Sequence, residues 1–134
     1  MKILVTGATG KVGHAFIDRA LTDDRLPAAT IRAFCHNRVL PGSDRLEVVQ
    51  GNMAVRADVE SALDGVTHVL HLATCKETPD DVMDVTVKGL FWLLEGCRSS
   101  ATFEQFILIG GDAGMGDFFY PHPIPVTETQ AHSA

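Results

Sequence analysis

The first fourteen residues, MKILVTGATGKVGH, place three glycines, Gly7, Gly10 and Gly13, directly after a short, mostly apolar run. Lys2 to Thr6 (KILVT) reads as a strand buried on both faces. From Lys11 to Thr22 the spacing is helical, with Val12, Ala15, Phe16 and Ala20 on one apolar side. A glycine-rich handover from strand to helix has definite physical consequences. Gly7 lets the chain turn sharply out of the strand, and Gly10 puts no side chain in the way of a phosphate. Gly13 lets the helix pack close against the sheet. The N–H groups of the first helical turn then face the ligand, and the helix dipole favours its negative charge. Set in a strand–helix–strand unit, this spacing predicts a dinucleotide-binding turn.

The rest of the chain continues the alternation. Thr30 to Cys35 (TIRAFC) and Leu46 to Val49 (LEVV) read as a second and third strand. Asp58 to Leu63 fits a short helix with Gly65 as its stop, and Thr67 to Leu72 (THVLHL) a fourth strand. Asp80 to Arg98 is the longest helical stretch, with Val82, Val85, Leu90, Leu93, Leu94 and Cys97 as its apolar face. Asp80, Asp81 and Asp84 meet the positive end of that helix. Phe103 to Ile109 reads as a fifth strand, and residues 112–134 mostly as loop. Such an order predicts an α/β fold, a doubly wound parallel sheet of about five strands in the order 3-2-1-4-5. The fifth strand is then an exposed sheet edge. That edge and the long helix are the two surfaces through which a homodimer is expected to form.

With 134 residues the chain is read as a single domain. Its net charge of -6 argues against nucleic acid or an anionic membrane as a partner. Arg25, Arg32, Arg38 and Arg45 lie in one stretch and are candidates to gather around a phosphate. Cys35, Cys75 and Cys97 form no C-x-x-C pair, so they are read as reduced cysteines of a cytoplasmic protein, not as zinc or redox ligands. Cys75 has no identifiable base to make it a nucleophile, and packing is its expected role. His68 and His71 are three apart on a strand and point to opposite faces, while His122 and His132 have no partner in pattern, so no metal site is expected. No apolar run has the length of a membrane span or of a signal-peptide core.

The T-G-x-x-G-x-x-G form of the turn resembles the short-chain dehydrogenase/reductase superfamily. GNMAVRADVESALDGVTHVLHLAT, DVTVKGLFWLLEGCR, FEQFILIGGDAGMG and PVTET resemble its extended branch, the NAD-dependent epimerase/dehydratase family, whose members act on nucleotide-sugar-like substrates. The resemblance covers nearly the whole chain and implies a Rossmann-like NAD(P)-binding domain. It implies a pyrophosphate loop of Gly7, Ala8, Thr9, Gly10, Lys11, Val12 and Gly13. Asn52 would stand for the family's Asp at the adenine amino group, with Met53 beside the adenine. Leu72, Ala73 and Thr74 would follow the pyrophosphate and nicotinamide ribose. Thr86 falls where the family often has Asn.

The end of the second strand distinguishes NAD from NADP. A carboxylate there binds the ribose 2′-hydroxyl of NAD, and an arginine accommodates the 2′-phosphate of NADP. Residues 34 to 38 read FCHNR, without an acid, so His36 and Arg38 are candidate phosphate partners and NADP is favoured over NAD. The family's catalytic groups are not matched. Its Tyr and the Lys four residues on have no counterpart, because the single tyrosine, Tyr120, is followed by Ile124, and no lysine comes after Lys88. Gly110 and Gly111 stand where the family has Ser-Ser or Ser-Thr. Asp112, next along, is not a hydroxyl donor. The resemblance therefore implies a chain truncated before the catalytic helix. No catalytic residue is assigned. Such a chain binds a dinucleotide and is expected to lack turnover alone, as a binding or sensor module or a weakly binding fragment.

Overall fold

The computed structural model describes residues 1–75 and 78–110. Expectations about Gly111, Asp112, Tyr120, His122, Ile124, His132 and the PVTET segment lie outside the described residues. The elements run β1 (Lys2–Thr6), α1 (Lys11–Thr22), β2 (Thr30–Cys35), β3 (Leu46–Gln50), α2 (Arg56–Ala62) and β4 (His68–His71). Then come α3 (Pro79–Asp81), a π-helical segment (Val82–Lys88), α4 (Gly89–Ser99) and β5 (Gln105–Leu108). The five strands pair in parallel in the order β3-β2-β1-β4-β5. The doubly wound sheet is therefore as the strand–helix alternation predicts.

Alternate residues of each strand feed two cores. On one face Ile3, Val5, Ile31, Ala33, Cys35 and Leu70 pack with Ile17 and Ala20 of α1. On the other, Leu4, Phe34 and Val69 pack with Val59 and Ala62 of α2 and with Leu93 and Cys97 of α4. Burial in this second layer pushes the Cys97 thiol up to about 11, so it stays protonated and acts as a small apolar group.

Two helix faces differ from expectation. The buried side of α1 is Gly13, Ile17 and Ala20, with Phe16 partly covered. Val12 is 64% exposed and Ala15 is also exposed. The apolar stripe is thus rotated by one position, with Gly13 against the turn and Ile17 and Ala20 in the core on the sheet. The long helix is not one regular α-helix. Thr78 caps α3 by accepting from the Asp81 N–H at 3.1 Å, and a π-helical segment follows before α4. Asp81 accepts from the Thr78 hydroxyl, and Asp84 pairs with Lys88 at 2.6 Å. Leu94, expected in the core, is 46% exposed, as are Met83, Val87 and Phe91 to a similar degree. β5 is an edge, with Ile107, Leu108 and Ile109 exposed.

Three of the four arginines do not gather around a phosphate. Arg25 pairs with Asp23 at 2.7 Å. Arg32 is 9% exposed; it donates to the carbonyls of Ala62 and Asp64 at the end of α2 and pairs with Glu47 at 2.8 Å. Arg45 donates to four carbonyls around the end of α1, those of Ala20, Leu21, Leu26 and Ala29. The Arg32 and Arg45 guanidiniums satisfy carbonyls at and just past helix ends, and their charge suits the negative end of the dipole. Replacing Arg45 with Met, which keeps the stem and removes all four bonds, should lower unfolding free energy by about 2–3 kcal/mol in a urea titration.

Candidate dinucleotide site

The glycine turn sits at the C-terminal end of the central strand, beside the crossover where strand order reverses between β1 and β4. Ligands of doubly wound sheets bind there. Gly7 adopts φ +68°, a left-handed conformation that suits only glycine. A methyl group added to it would lie 2.8 Å from the Leu72 carbonyl carbon and 2.9 Å from the Ala73 nitrogen. The turn therefore presses directly on the backbone that follows β4.

Gly13 serves the same close packing from the helix side. A methyl group there would overlap the Gly7 carbonyl oxygen and lie 2.9 Å from the Ala8 Cα. Its partner is the turn itself, not the sheet as expected. Ala8 is fully buried beneath the turn. Gly10 caps α1 without a side-chain hydrogen bond, donates to the Gly7 carbonyl at 3.0 Å, and accepts from His14 N–H at 2.9 Å. Among the described residues no acceptor takes the N–H groups of Lys11, Val12 or Gly13, and the first turn holds no acid. Free donors, the positive end of a twelve-residue helix and the absence of a competing carboxylate fit an anionic group such as a pyrophosphate. Thr9 is half-buried and Lys11 exposed at this mouth.

The opposite wall, Leu72, Ala73 and Thr74, is held by two threonines. The Thr6 side-chain oxygen accepts from the Leu72 and Ala73 N–H groups at 3.1 and 3.2 Å and lies 2.7 Å from His71 Nδ1. The Thr86 hydroxyl donates to the Cys75 carbonyl at 3.0 Å and accepts from the Cys75 N–H at 2.9 Å. Thr86 lies in the π-helical segment; such widened turns recur at functional sites, and this one carries the hydroxyl that clasps the loop. The pairing of Thr6 with His71 is not visible in the sequence, since they are 65 residues apart and only the β1–β4 pairing joins them.

The remaining candidates divide. His36 and Arg38 are exposed just past β2, and no described residue holds either side chain by a hydrogen bond or ion pair. Asn52 is half-buried, and its side-chain oxygen accepts from Ala54 N–H at 2.9 Å, so one of its two lone pairs is taken. Its own N–H is held by Asp58 at 2.8 Å. Met53 is buried against Gly89 in the second core, which supports the floor beneath this corner.

His71 is 4% exposed, and burial lowers its pKa below the ordinary 6.5. The unfolded chain takes up a proton near that value while the folded chain does not. Stability linked to His71 is therefore complete above pH 6.5 and falls as pH drops toward the depressed folded value. Urea midpoints measured from pH 7 to pH 5 should fall in the wild type, and His71→Asn should remove up to about 1.4 kcal/mol per pH unit of that slope.

Comparison with known proteins agrees with this geometry. The chain is 27% identical over 117 residues to the dihydroflavonol 4-reductase of Zea mays, covering 78% of this chain and 33% of that protein. It is 26% identical over 144 aligned positions to the dTDP-glucose 4,6-dehydratase of Mycolicibacterium smegmatis, covering 99% and 43% respectively. A short-chain dehydrogenase/reductase superfamily protein from Agrobacterium tumefaciens, crystallised with bound NAD, superposes with a TM-score of 0.75 at 29% identity, covering 99% of this chain and 39% of that one. The chain thus spans less than half the length of these relatives. Residues 3–133 match the NAD dependent epimerase/dehydratase family, and with the Gly7–Gly13 turn at the head of its parallel sheet the chain belongs to that family.

Proposed function

We propose that this chain forms the dinucleotide-binding part of an epimerase/dehydratase-type protein and that it takes NADP(H) more tightly than NAD(H). The observation that carries the binding reading is the glycine turn, pressed against the wall held by Thr6, with three N–H groups at the start of α1 that no described residue accepts from. Gly7, Ala8, Thr9, Gly10, Lys11, Val12 and Gly13 would enclose the pyrophosphate, and Leu72, Ala73 and Thr74 would line the nicotinamide side. Preference for the 2′-phosphate is supported by Arg38 and His36. Both are exposed where an NAD-type site places an acid, and Arg38 is not engaged by a carboxylate as Arg25 and Arg32 are. A guanidinium binds a phosphate through two parallel hydrogen bonds. A bound dinucleotide would supply hydride transfer.

The same proposal holds that these 134 residues bind without turnover. The hydroxyl position after β5 is Gly110, and no tyrosine is followed by lysine four residues on. Relatives such as the dTDP-glucose 4,6-dehydratase suggest a nucleotide sugar as substrate of the whole protein.

A fluorescence titration with NADH and NADPH side by side tests the reading. Micromolar binding with NADPH the tighter is expected, and Arg38→Gln should weaken NADPH about tenfold while leaving NADH unchanged. NADPH binding should also fall faster with added salt. Equal affinities, or tighter NADH, would refute the NADP preference; no binding of either would refute the function.

A further inference from the structure

We propose that His71 positions the wall of the dinucleotide cleft, acting through the Thr6 hydroxyl while fixed as the neutral tautomer with its proton on Nε2. The inference rests on the dinucleotide reading above and names residues that no cofactor contact would reveal.

The argument is a count of protons and lone pairs. A threonine hydroxyl has one proton to give and two lone pairs to receive. Thr6 Oγ1 lies 3.1 Å from the Leu72 nitrogen and 3.2 Å from the Ala73 nitrogen, and a backbone N–H can only donate. Those two bonds use both lone pairs. The third neighbour, His71 Nδ1 at 2.7 Å, must therefore accept the Thr6 proton. An Nδ1 that accepts carries no hydrogen, so the ring proton sits on Nε2. The opposite tautomer would set N–H against a hydroxyl whose lone pairs are already taken. One of the two backbone bonds would then be lost.

Both backbone groups belong to the peptide stretch against which Gly7 is pressed. The spacing between turn and wall leaves no room even for a methyl group, so a rotated Leu72–Ala73 peptide would displace the turn or close the cleft. His71 is able to impose the order because its own ring is immobilised. It is 4% exposed, terminates β4, pairs in register with both Thr6 and Leu108, and its ring lies 6.1 Å from that of Phe106. His71 thus selects one direction for the Thr6 proton. Thr6 then has both lone pairs free for the wall. His71 itself touches no ligand and is a positioning residue.

The test is an NADPH titration of the wild type, His71→Leu, His71→Asn, Thr6→Val and the Thr6→Val/His71→Leu double variant. Thermal unfolding checks that each is folded. His71→Leu should bind roughly tenfold more weakly, and His71→Asn should recover most of that loss, because its amide oxygen offers an acceptor near the place of Nδ1. Thr6→Val should lose a similar factor, and adding His71→Leu to it should cost nothing further, since the two act in series. Proton–nitrogen NMR of the wild type should show His71 protonated at Nε2 and bare at Nδ1. Wild-type affinity in His71→Leu, additive losses in the double variant, or a proton on Nδ1 would each overturn the proposal. If His71→Leu does not fold, wild-type affinity in Thr6→Val overturns it equally. A wild type that binds neither NADPH nor NADH would instead refute the function itself, and this positioning role with it.

Discussion

Three stretches of backbone meet at Gly7 with no space for a single methyl group. The turn after β1, the first turn of α1 and the chain leaving β4 approach within van der Waals distance there. Only glycine at positions 7 and 13 permits it. The site follows from this contact. It brings to the carboxyl end of the sheet, beside the crossover, the N–H groups of α1 that no described residue accepts from, and sets the Leu72–Ala73 peptide against the turn. A side chain at either glycine would separate the helix start from the wall and open the concavity between them. The glycines therefore shape the protein's own backbone before they accommodate any ligand.

Close backbone contact alone does not fix the orientation of the wall. Side-chain hydroxyls do that. Thr6 ties the wall to β1, and Thr86 ties the next residue to the π-helical segment. Each bond is short-range, but the residues joined are 65 to 67 positions apart for Thr6 and 11 for Thr86. The parallel β1–β4 pairing makes the first possible, and the widened helical turn accompanies the second. Elsewhere the buried Arg32 and the half-buried Arg45 have structural roles. Arg32 and Arg45 close the carbonyl ends of α2 and α1 on opposite faces of the sheet, and Arg38 alone of the four has no charged or hydrogen-bonding side-chain partner among the described residues.

Local features were readable from the residues. The order of strands, the glycine turn and the exposed HNR segment after β2 depend on neighbours in sequence, and each lies where its pattern places it. Features that depend on tertiary contact were not. Val12 reads as part of an apolar stripe, yet it stands at the open mouth of the helix, where no layer covers it. Leu94 continues the helical pattern of Leu90 and Leu93, but the buried side of α4 is narrow, Gly89, Leu93 and Cys97, and Leu94 lies one position off it. Gly13 reads as a helix–sheet contact and is a helix–turn contact. The pairing of Thr6 with His71 has no local signature, since the two belong to separate motifs 65 residues apart that meet only when β1 and β4 lie side by side. Family membership was legible from the motifs, because they are local runs of up to about two dozen residues.

Amide chemical-shift mapping on adding NADPH tests the central claim most directly. The account predicts that the largest shifts fall on Gly7 to Gly13, on Leu72 to Thr74 and on His36 to Arg38, the three segments that the sheet brings to one end. Shifts confined to another face, such as the groove of about 410 Å³ between α2 and α4 beside Trp92, with the glycine turn unmoved, would contradict it.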